Sequence, residues 1–484
     1  MAAIVPATAG VRGLWLRRAA ALAAAAFALS CGSPTEPNAA DDRRPNFVLV
    51  LSDDLDADPG VIDRLPVVAS SLRGGGLTFR NAFAPSPVCC PSRASVLRGQ
   101  YAHNTGITDN GTCDALFADR GLETSTLSTW LRDAGYRTGL VGKYLNGYPA
   151  DGRPRVPPGW DEWHAIKADV RITYYYYTLN ENGRFVDYGG AEQDYLTDVL
   201  AAKAVEFVRR SVTEKRAPFF LHLDPYAPHE PPTSAQRHRD AFPDATAPRT
   251  PSFNEADTSD KPSWYRGLPP LSDEDIDAID KTYRRRLQLM LAVDEMIGKL
   301  MAELSSLGEL DNTYIVFASD NGFFLGQHRF MGGKLAPYEE SIRIPLFVRG
   351  PGVASGASLP QMALTVDLAP TFAELAGART PDFVDGHSLV PMLQAGAPAA
   401  GSWRTDFPLQ HILPDESEGL PTWHGLRTED AMYVEHDGGE RELYDLRFDP
   451  YQLDNLQSVA DPQALQRFAE RLAAVRTCRG ATCP

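Results

Sequence analysis

Four short apolar runs, each ending abruptly in polar residues, constrain the fold of this chain most. Residues 46–52 run into Asp53-Asp54, and residues 136–142 end at Lys143. Residues 218–223 lead to Tyr226-Ala227-Pro228-His229, and residues 314–319 end in Asp320-Asn321-Gly322. Short, nearly continuous apolar runs suit strands buried on both faces of a parallel sheet. Helices are predicted between them, over residues 124–134, 196–211 and 283–307. Strands alternating with helices predict an α/β fold. Ligands in such sheets bind beyond the carboxyl ends of the strands. One polar strand end is ordinary, but four that deliver acids, Lys, His and Asn predict a single site.

The residue types suggest its chemistry. Asp53, Asp54, Asp320 and Asn321 are oxygen donors, the set preferred by a hard cation such as Ca²⁺. Zinc is disfavoured, because no Cys/His cluster has zinc spacing. Such a cation would activate an attacking hydroxyl and polarise an anionic oxygen. Lys143, Lys334 and His229 are candidates for contacting those oxygens or protonating a leaving group. Taken singly, each has a plainer explanation. Asp53-Asp54 suits a turn or helix cap, and Asp320-Asn321-Gly322 is a common turn. Lys334 follows Gly332-Gly333 and suits a loop, while Lys143 and His229 suit solvated side chains. Their joint placement at strand ends favours the site.

The segment Val88-Cys89-Cys90-Pro91-Ser92-Arg93-Ala94-Ser95 adds a nucleophile. Pro91 suits the first turn of a helix, whose N-terminus favours an anion. Arg93 lies one helical turn after Cys89. Cys-X-Pro-Ser-Arg resembles the sulfatase signature, in which the first Cys is oxidised to formylglycine. By that resemblance Cys89 becomes an aldehyde whose hydrate carries two hydroxyls. One attacks the sulfur of a sulfate ester and the other expels sulfate, whereas a Ser would be left as a stable ester. The plainer alternative is a buried Cys pair at a helix start.

From about residue 45 to about residue 456 the chain resembles a sulfatase of the alkaline-phosphatase-like superfamily. It is most similar to the N-acetylglucosamine-6-sulfatases and the heparan sulfate 6-O-endosulfatases. The resemblance is carried by the Cys89 motif, Tyr101-Ala102-His103-Asn104, Gly142-Lys143-Tyr144-Leu145-Asn146, Ala227-Pro228-His229, Asp320-Asn321-Gly322 with Gly326-Gln327, and residues 345–352. It implies a large mixed, mostly parallel sheet flanked by helices, with a small C-terminal antiparallel sheet plus helix. It implies one Ca²⁺ held by Asp53, Asp54, modified Cys89, Asp320 and Asn321. It places catalysis on Cys89, Arg93, Lys143, His229 and Lys334. A formylglycine-generating enzyme would mature the chain.

The implied substrate is a sulfated glycan or small sulfate ester, foremost the 6-O-sulfate of N-acetylglucosamine or glucosamine in glycosaminoglycan-type glycans. A phosphodiesterase or phosphonate monoester hydrolase of the same superfamily is the alternative, and a non-catalytic glycan-binding lipoprotein is another. Two departures stand out. Leu145 occupies the place of a His found in most sulfatases, a feature shared by the glucosamine subgroup. Phe323-Phe324 replaces a Tyr-His pair. Asn146 and His103 are candidates to support the hydrate and His328 to contact the sugar, with Asn104 a further substrate-binding candidate. Aromatic residues in 160–164 and 174–177 either wall a sugar pocket or pack on one another.

The ends of the chain carry other signals. Arg12, Arg17 and Arg18 precede an apolar run over residues 19–29, too short to span a bilayer. Residues 1–31 are therefore expected to be a signal peptide. Leu29-Ser30-Cys31 resembles a lipoprotein box with lipidation at Cys31, and a plain secretory signal is the alternative. This predicts an exported bacterial protein at the cell envelope or periplasm, meeting the membrane only through that lipid. Residues 32–44 read as a tether, 45–400 as the catalytic domain and 401–484 as a C-terminal subdomain. A formal charge of −16 excludes bulk attraction to nucleic acid or anionic lipid. With Cys31 and Cys89 assigned, Cys478 could pair with Cys483 and Cys90 with Cys113, although spacing leaves connectivity open. Residues 431–435 and 441–446 read as a hairpin and 461–475 as a last helix. The proline-rich segment 231–270 is a candidate pocket rim.

Overall fold

The computed structural model describes residues 44–168, 171–396, 401–412 and 420–484. The expected signal peptide, the tether up to residue 43 and Cys31 lie outside them. The chain forms a large sheet from β1 (Asn46–Ser52), β2 (Leu77–Phe83), β3 (Arg137–Gly142), β4 (Glu162–Ile166), β5 (Thr178–Glu181), β6 (Phe185–Asp187), β7 (Phe219–Asp224), β8 (Thr313–Ser319), β9 (Leu346–Arg349) and β10 (Ala357–Leu364). Its strand order is β10-β2-β9-β8-β1-β7-β3-β4-β5-β6. The β8-β1-β7-β3-β4 centre is parallel throughout. Antiparallel pairs join β9, β5 and β6. The sheet is thus mixed but mostly parallel, as the strand-like runs predict.

Burial explains why these runs are strands. Every residue of β1 is buried, and alternate residues face opposite layers. Val48 and Val50 join one core with Leu221, Leu223, Ile315 and Phe317. Phe47, Leu49 and Leu51 join the other with Phe220, Val316 and Ala318. Helices Leu196–Arg210 and Asp273–Ser306 cover the first layer. Helices Cys89–Arg98, Leu127–Asp133 and Leu368–Ala376 cover the second. The Asp273–Ser306 helix begins ten residues before the predicted start at 283. Ser272 caps it, accepting from the Asp275 N–H at 3.2 Å, and three acids follow in its first turn.

A smaller antiparallel sheet runs β11 (Asp406–His411), β12 (Trp423–Thr428), β13 (Ala431–His436), β14 (Arg441–Asp445) in that order. The last helix, Pro462–Val475, packs on Leu426, Tyr433 and Leu443. The opposite face buries Phe407, Leu409, Trp423, Met432 and Val434 against Phe324, Ala336 and Tyr338 of the main domain. This sheet therefore supports the loop that follows β8.

The aromatic cluster is mostly core. Trp163 is fully buried and lies edge-on to Tyr144 and Tyr148, at 5.0 and 5.4 Å. Tyr174 stacks on Tyr195, and of the four successive tyrosines only Tyr176 is strongly exposed. Segment 231–270 is irregular apart from short helical turns at Gln236–His238 and Ser263–Arg266, yet it buries Ser252, Glu255 and Lys261. No helix among the described residues is long and apolar enough to cross a membrane.

Candidate active site

Four neighbouring parallel strands, β8, β1, β7 and β3, end on the same edge, so their carboxyl ends converge. Asp53 and Asp54 follow β1 directly. The Asp53 N–H donates to the Ala227 carbonyl at 3.2 Å, and the Asp320 N–H donates to the Ser52 carbonyl at 3.0 Å. Asp54 has a φ of +68°. That left-handed conformation is uncommon for a residue with a Cβ, though Asp tolerates it better than most. It is held by the Asp54 N–H donating to Asp320 Oδ1 at 3.0 Å and by the Arg286 guanidinium on its carbonyl. Asn321 Nδ2 donates to Asp54 Oδ1 at 2.7 Å, while its Oδ1 is buried without a hydrogen-bond partner.

Cys89 opens the Cys89–Arg98 helix, all of whose residues are buried. Val88 is extended ahead of it, and Pro91 lies in the first turn, where its missing N–H costs nothing. The Cys89 sulfur lies 3.4 Å from Asp53 Oδ1 and 3.8 Å from Asp54 Oδ1. Lys334 Nζ donates to that sulfur at 2.8 Å and also pairs with Asp54. Burial pushes the Cys89 thiol up to about 12, outweighing the pull of Lys143 and Lys334. An unmodified thiol there is protonated and unreactive near neutral pH. Cys89 is the free cysteine among the described residues, since Cys90 pairs with Cys113 and Cys478 with Cys483.

Arg93 ties the strand ends together. Its Nε donates to Asp320 Oδ2 at 2.9 Å, and one terminal nitrogen reaches Asp224 Oδ1 at 3.0 Å and the Lys143 carbonyl at 3.1 Å. The other lies 3.8 Å from Asp53 Oδ2. Lys143 Nζ donates to Asp53 Oδ2 at 2.6 Å. Burial alone would raise the Asp53 carboxyl, but Lys143, His229, Arg93 and Lys334 hold it far below the usual range. Burial and then Asp53 push Asp320 up to about 7, against the pull of Arg93. Burial likewise raises Asp224, with Arg93 opposing. Neighbouring carboxylates in one buried space resist ionising together.

His229 stacks on Tyr226 with ring centres 4.6 Å apart. Its Nδ1 lies 2.7 Å from the Glu230 carbonyl and its Nε2 3.7 Å from Asp54 Oδ2. A carbonyl only accepts, so Nδ1 carries the proton and Nε2 faces the acids. Burial lowers the imidazole pKa, with Asp54 and Asp53 opposing.

Asp53, Asp54, Cys89 and His229 each offer a donor atom within 4.8 Å of the others, a group able to hold a metal ion. The buried, unpartnered Asn321 Oδ1 is a further oxygen suited to that role. Carboxylate and amide oxygens fit a hard cation.

The structure thus brings Asp53, Asp54, Cys89, Arg93, Lys143, His229, Asp320, Asn321 and Lys334 together. Other proposed contacts point elsewhere. His103 lies against Gln410, and its Nε2 donates to the Cys478 carbonyl of the C-terminal segment, 3.0 Å away. Asn104 donates to Asp385 and to the Cys478 carbonyl, both at 2.8 Å. His328 is wholly buried, with Nδ1 2.8 Å from Glu255 and its ring stacked on Tyr338. Its expected sugar contact is closed to it, and Phe324 is equally buried. Asn146 is half-buried, with Oδ1 unpartnered. Asp224 and Arg286 escaped sequence reasoning. Asp224 ends its apolar run, a usable signal, whereas Arg286 is hidden in a run of three arginines within a helix.

The chain is similar to known proteins over most of its length. The family model described as Sulfatase matches residues 45–378. The model described as N-sulphoglucosamine sulphohydrolase, C-terminal, matches residues 326–477. The chain is 35% identical to human N-acetylglucosamine-6-sulfatase, over 92% of this chain and 87% of that protein. It is 38% identical to an extracellular sulfatase, the SULF-1 homolog of Drosophila melanogaster, over 74% of this chain. There it spans only 32% of the relative's length. A solved structure of a protein in complex with its substrate D-glucosamine-2-N,6-O-disulfate superposes with a TM-score of 0.75 at 26% identity, covering 89% of this chain and 97% of the other.

Proposed function

The chain belongs to the sulfatase family, with the family's alkaline-phosphatase-like fold, and we propose that it removes the 6-O-sulfate of N-acetylglucosamine or glucosamine in sulfated glycans. The observation that carries this reading is the meeting of Cys89, Lys334, Asp54 and His229 at one buried point. Cys89 has an unreactive thiol by environment, and its neighbours are cations and hydrogen-bonding groups suited to an oxyanion. That combination supports oxidation of Cys89 to formylglycine. The hydrated aldehyde would supply the nucleophilic hydroxyl. A divalent cation, Ca²⁺ by donor type, would be held by Asp53, Asp54, modified Cys89, Asp320 and Asn321, and would polarise the sulfate.

The remaining roles belong to side chains already in place. Arg93 is locked by three carboxylates and holds Asp53 and Asp320 in register. Lys143 and Lys334 present fixed positive charge to an incoming sulfate, which stabilises charge that develops on its oxygens. His229 keeps its Nδ1 proton on the Glu230 carbonyl and turns Nε2 into the site; in its imidazolium form, which burial opposes and Asp54 and Asp53 favour, Nε2–H can deliver a proton to the leaving alcohol. The human relative named N-acetylglucosamine-6-sulfatase and the solved structure holding its substrate D-glucosamine-2-N,6-O-disulfate support the sugar assignment. Two disulfides suit an oxidising compartment and support export, with lipid attachment at Cys31 part of the same proposal.

A substrate panel tests the reading. N-acetylglucosamine 6-sulfate should be cleaved faster than galactose 4-sulfate, a 2-O-sulfated uronate or an aryl phosphate. A panel in which the 6-sulfates are the poorest substrates rejects it. Peptide mass spectrometry should find the aldehyde at position 89.

A further inference from the structure

The Asp273–Ser306 helix carries a second basic surface outside the site. Lys281, Arg284, Arg285 and Gln288 recur at intervals of three and four, so they share one helix face. With Arg239 and residues 232–234 they line an open cleft of about 540 Å³, a volume within the usual range of ligand sites. Arg239, Lys281 and Arg285 are exposed, and among the described residues none of them makes an ion pair. Three nearby acids are engaged elsewhere. Asp280 pairs with Arg249 at 2.8 Å and accepts from the Ala247 N–H at 2.9 Å. Asp198 and Glu295 pair with Arg237 at 2.7 and 2.6 Å. Gln288 Nε2 donates to the Arg239 and Ala241 carbonyls, both at 2.9 Å, which fixes the Arg239 loop against the helix. Arg284 is braced on the Ala245 carbonyl at 2.9 Å.

In a chain with 63 acids and 47 bases, a cleft lined by cations lacking carboxylate partners is a local reversal of sign. Like charges brought together repel, and a bound anion relieves that repulsion. A short stretch of chain also links the cleft to the site. Residues 232–234 follow His229 within five positions, a stretch of chain reaching at most about 17 Å. Arg286, the next residue after Arg285, points about 100° away around the helix and reaches the Pro228 and Asp54 carbonyls. One helix therefore serves both surfaces.

We propose that this cleft binds the anionic glycan chain adjoining the sugar whose sulfate is cleaved, holding a sulfate or carboxylate of a neighbouring residue. The proposal rests on the sulfatase reading above. It predicts that the enzyme prefers charged oligosaccharides to sulfated monosaccharides, and that the preference weakens with salt.

The test uses the double variant Lys281→Ala/Arg285→Ala of the full, mature enzyme, two exposed changes that leave the core untouched. With N-acetylglucosamine 6-sulfate, kcat/KM should match the wild type. With a heparan-type hexasaccharide, KM should rise about tenfold and its salt dependence should flatten. Calorimetric binding of the same hexasaccharide gives a readout independent of catalysis. If the wild type binds it and the variant does not, the cleft stands even where no sulfate is released, and only the sulfatase reading fails. Equal hexasaccharide affinity in the two proteins overturns the cleft, as does a wild type that binds no charged oligosaccharide. A non-sulfated, uronate-bearing hexasaccharide run alongside assigns the anion. A loss shared by both ligands points to carboxylate, and a loss confined to the sulfated one points to sulfate.

Discussion

The indole N–H of Trp423 donates to the backbone carbonyl of Leu335 at 2.8 Å. Trp423 is fully buried in β12 of the small sheet, while Leu335 immediately follows Lys334. Leu335 has a φ of +89°, a conformation that costs a residue with a Cβ roughly 1–3 kcal/mol and persists only where its surroundings impose it. The C-terminal sheet thus helps fix the ammonium group that meets Cys89 and Asp54. Trp423→Phe keeps a ring but removes the donor. Activity should fall by about 10- to 100-fold through misplacement of Lys334, with a stability loss of about 1–3 kcal/mol. Steady-state kinetics and thermal melting of the same preparation check both. Unchanged kcat in a folded variant refutes the positioning role.

The two adjacent cysteines should separate cleanly. Cys89→Ala removes the proposed formylglycine, so turnover should be abolished with little change in melting temperature. Cys90→Ala breaks the bond to Cys113. It should retain the aldehyde at position 89 and some activity, while losing about 2–4 kcal/mol of stability. Peptide mass spectrometry, kinetics and melting on both variants decide. An aldehyde at position 90 would falsify the assignment.

Metal removal offers a further test. Chelation should abolish activity, and Ca²⁺ should restore it. Asp54→Ala and Asp320→Ala should each lose stoichiometric metal, and activity should drop by about a thousandfold or more, because both the charge and the ligand frame are lost. Elemental analysis reads the first outcome and kinetics the second. Stoichiometric zinc in the wild type, or full activity in both variants, contradicts the oxygen-donor assignment.

Much of this site was legible because a parallel sheet converts sequence order into geometry. Residues that end apolar runs, such as Asp53, Lys143 and Asp320, are brought to one edge by strand pairing alone. Sequence gives the type of a side chain but not its direction, and the errors follow from that. His103 and His328 look like free imidazoles in a motif, yet the first is held by the C-terminal segment and the second is enclosed by Glu255, Glu340 and Tyr338. Asp224 was passed over because it closes its strand rather than following it. Arg286 was missed because its partners, the Asp54 and Pro228 carbonyls, are backbone atoms over fifty positions away. The basic cleft likewise arises from a helix and a loop that meet only in the fold.

His328 supplies a pH test remote from the chemistry. Burial alone would lower its pKa, but hydrogen bonds and attraction from Glu255 and Glu340 raise it above the ordinary value of 6.5. Glu340 is shifted the opposite way, since burial would raise it and His328 pulls it down. A raised His pKa contributes stability that is complete below the unfolded value and is lost as pH rises through the folded one. A depressed Glu contributes stability above its unfolded value that is lost as pH falls through the folded one. The pair is therefore strongest in mildly acidic solution, where both groups are charged. Stability of the wild type should decline as pH rises from the unfolded value of about 6.5 through the higher folded one, and His328→Gln, which cannot titrate, should be less stable at the lower pH and flatter across the range. Denaturant midpoints measured at intervals across that range check this. A variant whose profile runs parallel to the wild type would show that His328 titrates alike in the folded and unfolded protein, and would remove the ion pair from the account of how the loop after β8 is held.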